Sequence, residues 1–268
     1  MLLNVQGQEA YCYTGGKAFN PELPTVVFIH GAQHDHSVWI LQTRYFAHHG
    51  FGVLAVDLPG HGRSKGRPLT SVEAIADWLL ALLDAAGVQK AALTGHSMGS
   101  LIALETAFRA PGRITRLALV GTAYPMKVSD VLLEASLNHE QTAIDMVNIW
   151  SHSSIAHKPS CPGPGFSVMG GNQRLMQYIS RRNPAKVFHT DFSACNSYAN
   201  GETAAQSIGC PTLLLLGTRD MMTPPKVTST LTKAINGAKV VQIDNCGHNL
   251  MAEQPDAVLE NLYRFMKS

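Results

Sequence analysis

Residues 93–104 read LTGHSMGSLIAL, in which a polar His-Ser pair stands between two glycines. An apolar, strand-like run precedes the pair, and an apolar, helix-like run follows it. Residues 95–99 fit the pattern G-x-S-x-G at a strand-to-helix junction, which is the context in which this pattern exposes a serine nucleophile. Glycines suit so tight a turn because side chains there would find little room. The motif alone also fits an ordinary turn that caps a helix, so the rest of the chain has to decide.

Strand-like and helix-like segments alternate on both sides of this stretch. Their continuous apolar character is typical of parallel strands that are buried on both faces. The predicted strands are 25–30, 52–57, 90–95, 116–121, 211–217 and 238–244. Helices are predicted over 70–87 and 254–268. This alternation indicates an α/β fold with a parallel sheet that is covered by helices on both sides.

The ends of the two predicted helices carry recognisable signals. Thr70 and Glu73 predict a capping box at the start of the first helix, and Gly87 predicts its end. Pro255 is well placed for the first turn of the second helix.

Residues 124–207 break the alternation. They contain a helical stretch at 128–150 and a segment rich in Pro and Gly at 159–171, with no clear buried strand. We therefore predict an insertion over the sheet. The domain organisation that follows is a first part of the core at 1–123, a lid insertion at 124–207 and a second part of the core at 208–268.

Two polar residues follow late strands and suit the serine as partners. A serine hydroxyl needs a base, and the base needs an orienting group. Asp220 comes just after the strand at 211–217, and His248 comes just after the strand at 238–244. Because parallel strands end at one edge of the sheet, Ser97, Asp220 and His248 are predicted to meet there as a catalytic triad in the order Ser, Asp, His.

Five motifs of the chain resemble those of the α/β-hydrolase family. They are HG at 30–31, DLPGHGRS at 57–64, GHSMG at 95–99, GTRDMMTPP at 217–225 and CGHNLMAEQPDAV at 246–258. The resemblance implies a mostly parallel, eight-stranded sheet flanked by helices, with a helical lid over the site. It implies the triad Ser97, Asp220 and His248, and an oxyanion hole formed by the backbone N–H groups of Met98 and Ala32. Gln33 stays open as an alternative to Ala32.

The expected activity is that of a serine carboxylesterase acting on small to medium apolar esters through an acyl-enzyme. His34, Tyr124 and Trp150 are candidates for the substrate pocket, and the apolar side chains of the insertion favour an apolar substrate. Hydrolysis needs the neutral imidazole of His248, so it should fall at acid pH. Alternatives are a carbon–carbon bond hydrolase of aromatic ring-cleavage products, a cofactor-free perhydrolase, and a ligand-binding receptor with little turnover.

Composition argues against several other classes of protein. The net charge of the 268 residues is only +2, without the basic stripe that nucleic-acid binding needs. No window approaches the roughly 18 apolar residues of a membrane span. The five cysteines form no C-x-x-C pair, which argues against a disulfide framework or a zinc site. We therefore expect a cytoplasmic protein, a monomer or homodimer.

Neither a cofactor nor a metal is predicted. The run GHGRSKG at 60–66 lacks the ending of a phosphate loop. The run HDH at 34–36 lacks further ligands at a recognisable spacing. Asp57 precedes Ser97, which is the wrong order for the triad acid, so turn stabilisation is its expected role.

Overall fold

The computed structural model describes residues 1–154 and 167–268. Most of the segment rich in Pro and Gly at 159–171, predicted above as part of the insertion, lies outside the described residues. Its last residues, from Val168 onward, begin a helix.

Among the described residues, eight strands form one sheet in the order β1-β2-β4-β3-β5-β6-β7-β8. The pairs β4–β3, β3–β5, β5–β6, β6–β7 and β7–β8 are parallel, whereas β1–β2 and β2–β4 are antiparallel. The mostly parallel, eight-stranded sheet is thus confirmed. The strands are β1 Leu2–Val5, β2 Gln8–Tyr13, β3 Thr25–Ile29, β4 Gly52–Val56, β5 Ala91–His96, β6 Ile114–Val120, β7 Thr212–Gly217 and β8 Lys239–Ile243.

The six apolar runs of the sequence form β3 to β8. Side chains alternate between the faces of the sheet, as the pleat of a strand requires. Val27 and Ile29 join the cluster under helices α2 (Val72–Ala85) and α3 (Met98–Arg109). Val26 and Phe28 join the cluster under helices α1 (Ile40–His48) and α11 (Pro255–Lys267). Strands β3 to β7 are therefore largely buried on both faces, which explains why their runs are apolar. The prediction of a buried strand at 238–244 was wrong, because β8 forms the edge of the sheet and Lys239, Val240 and Gln242 are exposed.

Six of the described helices pack on the sheet, and the two predicted over 70–87 and 254–268 are close to their predicted positions. The bounds are α1 Ile40–His48, α2 Val72–Ala85, α3 Met98–Arg109, α9 Ser229–Ala234, α10 Leu250–Glu253 and α11 Pro255–Lys267. The predicted cap of α2 was wrong by one residue. Ser71, not Thr70, is the N-cap, and its hydroxyl accepts the N–H of Ala74. Gly87, at φ +71°, follows the end of the helix as predicted.

Five helices of the described residues lie between β6 and β7. They are α4 Asp130–Asn138, α5 Glu140–Trp150, α6 Val168–Arg182, α7 Val187–Ser197 and α8 Gly201–Gln206. The helical stretch predicted at 128–150 is thus two helices that meet at His139. Helices α4 to α7 share an apolar cluster of their own, which includes Leu132, Ile144, Met176 and Phe188.

Candidate active site

Ser97 occupies the turn between β5 and α3. Its φ is +52°, on the positive side that residues other than glycine rarely adopt. Its N–H donates to the carbonyl of Val120 on β6, at 2.9 Å. Strain of this kind persists only where the surroundings impose it, and it clusters at functional sites. Ser97 stays partly exposed while its neighbours His96 and Met98 are buried.

The glycines of the motif make this turn possible. A Cβ on Gly95 would collide with the backbone of Gly99 and Ser100. A Cβ on Gly99 would lie 2.5 Å from the carbonyl oxygen of Ile29 and 2.6 Å from that of His30. Strand β3 and helix α3 therefore approach each other at a distance that only glycine allows.

Gly99→Ala is expected to destabilise the fold by about 1–3 kcal/mol, the usual cost of overpacking a rigid site. The clash is with backbone, which cannot swing aside as a side chain can. Urea unfolding measures the loss. The matched control is Gly171→Ala in helix α6, where nothing lies within 4 Å of the added carbon. That substitution should be neutral or stabilising by up to about 1 kcal/mol. Equal stability of the two variants would contradict the packing argument.

Asp220 and His248 follow β7 and β8 and lie in contact. Oδ2 of Asp220 is 2.8 Å from Nδ1 of His248. The same oxygen accepts the hydroxyl of Thr223, and Oδ1 accepts the backbone N–H groups of Met222 and Thr223. A carboxylate only accepts, so Nδ1 of His248 carries the proton and Nε2 is left as the basic nitrogen.

The environment of Asp220 favours its ionised form. Burial opposes the charge, but His248 and the hydrogen bonds from His248 and Thr223 outweigh it, so the pKa of Asp220 lies below its ordinary value of 3.8. Asp220 is thus an anion that can stabilise an imidazolium on its neighbour.

His96, inside the motif, holds the backbone of His248. Its Nε2 donates to the carbonyl oxygen of His248 at 2.8 Å, and the two rings lie 4.8 Å apart. Burial holds the pKa of His96 well below its usual range, so this ring is neutral. The sequence analysis treated His96 only as the variable residue of the motif. A link between residues 152 positions apart leaves no local signal.

Ser97 and His248 line one cavity of about 150 Å³. The other described lining residues are mostly apolar and come from the segment after β6, from α4, α5 and α7, and from the loop after β7. They are Met126, Lys127, Val128, Ser129, Leu132, Trp150, Phe192, Cys195, Met221, Met222 and Thr223. Trp150, a pocket candidate of the sequence analysis, is among these lining residues.

The other two pocket candidates are not among the described residues that line this cavity. His34 is buried, and its Nε2 is 2.9 Å from Oδ1 of Asn172. Burial lowers the pKa of His34 to about 4, so it is neutral at neutral pH. Tyr124 packs edge-on against Tyr198 and donates its hydroxyl to the carbonyl of Ala199. Its ring therefore packs against the core, and its hydroxyl is engaged by the backbone.

Of the two candidates for the second oxyanion donor, Ala32 and Gln33, the structure argues against Gln33. The N–H of Gln33 already donates to Oδ2 of Asp191 at 2.8 Å, so it is not available. Met98 is the first residue of α3, so its N–H has no acceptor within the helix. The N–H groups of Ala32 and Met98 therefore remain the candidate oxyanion donors.

The loop at 34–36 and Asp57 are joined by hydrogen bonds. Polar atoms of Asp35, His36 and Asp57 lie within 4.8 Å of one another. Oδ1 of Asp57 accepts both the N–H and the Nδ1–H of His36, and Oδ2 accepts the N–H of Arg63. The predicted role of Asp57 in stabilising the turn is confirmed.

Among the described helices, none has the length and hydropathy required to cross a bilayer.

A serine in a strained strand-to-helix turn, which lines one cavity with the histidine of an Asp–His pair at the edge of a mostly parallel sheet, is the arrangement typical of the α/β-hydrolase class. A profile of the Alpha/beta hydrolase family matches residues 26–261, and the chain belongs to this family. It is similar to an (E)-2-((N-methylformamido)methylene)succinate hydrolase of Acinetobacter baylyi, at 22% identity over 91% of this chain and 90% of that protein. A non-heme chloroperoxidase of Streptomyces lividans is 26% identical over 91% of both chains. The structure of a thermophilic esterase superposes with a TM-score of 0.80 at 25% identity, covering 100% of this chain and 96% of the other.

Proposed function

We propose that the protein is a serine esterase that cleaves carboxylic esters of small to medium apolar substrates through an acyl-enzyme on Ser97. The observation that carries this proposal is one cavity that presents both Ser97 and a His248 that is hydrogen-bonded to Asp220. Membership of a hydrolase family and the likeness to an esterase support it.

The mechanism follows from the roles of these groups. Ser97 attacks the ester carbonyl while Nε2 of His248 takes the hydroxyl proton. The tetrahedral oxyanion accepts hydrogen bonds from the N–H groups of Ala32 and Met98, each worth about 3 kcal/mol of barrier. His248 then gives its proton to the departing alcohol. Water attacks the acyl group by the same steps in reverse, which releases the acid and restores Ser97.

The insertion at 124–207 is proposed to act as a lid, because its described residues supply most of the cavity wall. We also propose a cytoplasmic location, since Cys12, Cys195, Cys210 and Cys246 are all free thiols. The oligomeric state, monomer or homodimer, stays a prediction.

Short acyl groups are expected to be the best substrates. The cavity beside Ser97 has a volume of only about 150 Å³, which favours short acyl groups over long ones. Among p-nitrophenyl esters, kcat/KM should peak between acetate and butyrate and be at least about tenfold lower for octanoate. A rate that rises steadily to octanoate would contradict this size limit.

Trp150→Ala provides the complementary test. Removal of this large lining side chain should move the optimum toward longer acyl groups. Ile149→Ala is the matched control, because Ile149 is the preceding residue on α5 and is 56% exposed. The control should keep the wild-type preference. The same shift in both variants would show that the helix, not the ring at 150, sets the size limit.

Labelling with a fluorophosphonate, with Ser97→Ala as the negative control, tests the nucleophile. Ester turnover together with labelling supports the esterase. Turnover of a vinylogous diketone acid alone would assign the protein to the carbon–carbon bond hydrolases. Labelling without turnover of any substrate would indicate a receptor. Absence of labelling would overturn the catalytic proposal.

Perhydrolysis is a second candidate, favoured by the 26% identity to the chloroperoxidase. In that reaction hydrogen peroxide replaces water in the second half of the cycle. Its oxygen attacks the acyl carbon, Ser97 leaves, and the product is a peracid. Addition of peroxide and acetate, with bromide oxidation by the peracid as the readout, separates this activity from plain hydrolysis.

A further inference from the structure

Asp191 lies on α7, far from Ser97 in sequence, and its side chain is 1% exposed. Its Oδ2 accepts the N–H of Gln33 at 2.8 Å and faces Nε2 of His61 at 2.9 Å. Resting on the esterase function above, we propose that Asp191 is a positioning residue for the oxyanion hole. It fixes, from the insertion, the loop whose Ala32 N–H binds the oxyanion.

The donor group belongs to the peptide unit between Gly31 and Ala32. The carbonyl of this unit accepts Nδ1–H of His30 at 2.8 Å. Nε2 of His30 accepts the N–H of Leu58, and burial keeps the pKa of His30 well below its usual range, so the ring is neutral. Because a trans peptide directs its C=O and N–H in opposite directions, the contact with His30 sets the direction of the Ala32 N–H.

The next peptide unit, between Ala32 and Gln33, is fixed from the other side. Its N–H is the group that Asp191 accepts. Gln33 has a φ of +57°, a conformation that a residue with a side chain keeps only where its surroundings impose it. Those surroundings are the insertion, since the side-chain amide of Gln33 also donates to the Met176 carbonyl and the Ser180 hydroxyl on α6. The donor is therefore held between His30 of the core and Asp191 of the insertion.

His61 explains how the carboxylate of Asp191 is tolerated in the interior. Nε2 of His61 meets Asp191, and Nδ1 meets the carbonyl of Pro59 at 3.1 Å. Both partners only accept hydrogen bonds, so both ring nitrogens carry protons and the ring is an imidazolium. Burial opposes that charge, but Asp191 and the two hydrogen bonds raise the pKa of His61 above 6.5. Asp191 thus pairs with a buried cation, His61 of the 57–64 loop, and accepts a hydrogen bond from the backbone of the loop that carries Ala32 and Gln33.

Asp191→Ala tests the proposal on the best p-nitrophenyl ester. A lost oxyanion donor costs about 10²–10³ in kcat, and a loosened donor should cost a part of that, about 10- to 100-fold. The Ki of an alkyl trifluoromethyl ketone, whose adduct with Ser97 carries the oxyanion, should rise by a similar factor while KM changes little. Asp191→Asn should lie between the two proteins, because its amide oxygen can still accept the N–H of Gln33.

The control is Tyr198→Phe at the end of α7, which loses a buried hydrogen bond of 2.8 Å to Glu105 away from the oxyanion loop. It should lower Tm without changing the ratio of Ki to KM. Asp191→Ala with wild-type kcat and Ki would overturn the proposal. If that variant does not fold, unchanged kcat and Ki in Asp191→Leu, which fills a similar space without an acceptor, would overturn it equally. Failure of the esterase function itself has a different signature, namely a wild-type protein that neither reacts with a fluorophosphonate nor hydrolyses esters.

Discussion

Ser97→Ala is expected to lower kcat for ester hydrolysis by about 10⁶, the loss typical of removing the nucleophile of a serine triad. The reason is that His248 would have no hydroxyl to deprotonate, so no acyl-enzyme can form. The fold should be unaffected, because alanine adopts a φ of +52° about as readily as serine and the N–H that donates to Val120 remains. Steady-state rates with the best ester, together with Tm, measure both effects.

A Ser–His contact away from the cavity provides the control for this substitution. Ser136 on α4 has its hydroxyl 3.1 Å from Nδ1 of His189, outside the described lining of the cavity. Ser136→Ala should keep the wild-type rate and the fluorophosphonate label. The assignment of Ser97 is refuted if Ser97→Ala keeps most of the activity. Loss of activity in Ser136→Ala would also count against it.

The triad candidates could be found from the sequence because each follows a recognisable strand. Ser97 and Asp220 follow β5 and β7, which are buried on both faces and form continuous apolar runs whose ends are visible. His248 follows β8, a mostly exposed edge strand that is marked by its β-branched residues Val240 and Val241. Asp220 and His248, chosen in this way, are in contact. The strands β1 and β2 left no such signal, since they form an antiparallel edge of the sheet and several of their residues are exposed.

The residues that line the cavity were harder to predict from the sequence, and only Trp150 of the three pocket candidates is among them. Its residues come from helices whose apolar positions serve both their own core and the cavity, so periodicity does not separate the two uses. Phe192 packs on Phe188 and also faces the cavity. Tyr124 was a pocket candidate, but a Cβ on Gly201 would meet its ring, which shows how closely α8 packs there. Packing of α8 thus decides the direction of that side chain.

Asp191 illustrates a further limit. A lone aspartate inside a helix of an insertion looks like a solvated surface residue. Its partners are Gln33, 158 positions away, and His61, 130 positions away. Only the docking of α7 against the two loops turns it into a buried ion pair, and that docking has no signature in local sequence.

Asp220→Asn is expected to lower kcat about 10⁴-fold while leaving the protein folded. The amide can keep its oxygen toward the N–H groups of Met222 and Thr223, which places its NH₂ where Oδ2 now faces His248. That NH₂ donates to Nδ1, so the imidazole proton moves to Nε2. The nitrogen that should accept the proton of Ser97 is then already protonated.

The same substitution should flatten the acid limb of the stability curve. Because the pKa of Asp220 is lowered on folding, its ionised form stabilises the native state above about pH 3.8, and that stabilisation is lost as pH falls through the lower folded value. Urea unfolding should therefore show a larger difference between wild type and Asp220→Asn at pH 6 than at pH 3.

Asp244→Asn is the control, since this exposed carboxylate lies four residues before His248 and should change neither rate nor acid stability. A wild-type rate in Asp220→Asn would mean that the contact with His248 orients nothing that the reaction needs, and the triad would reduce to a pair.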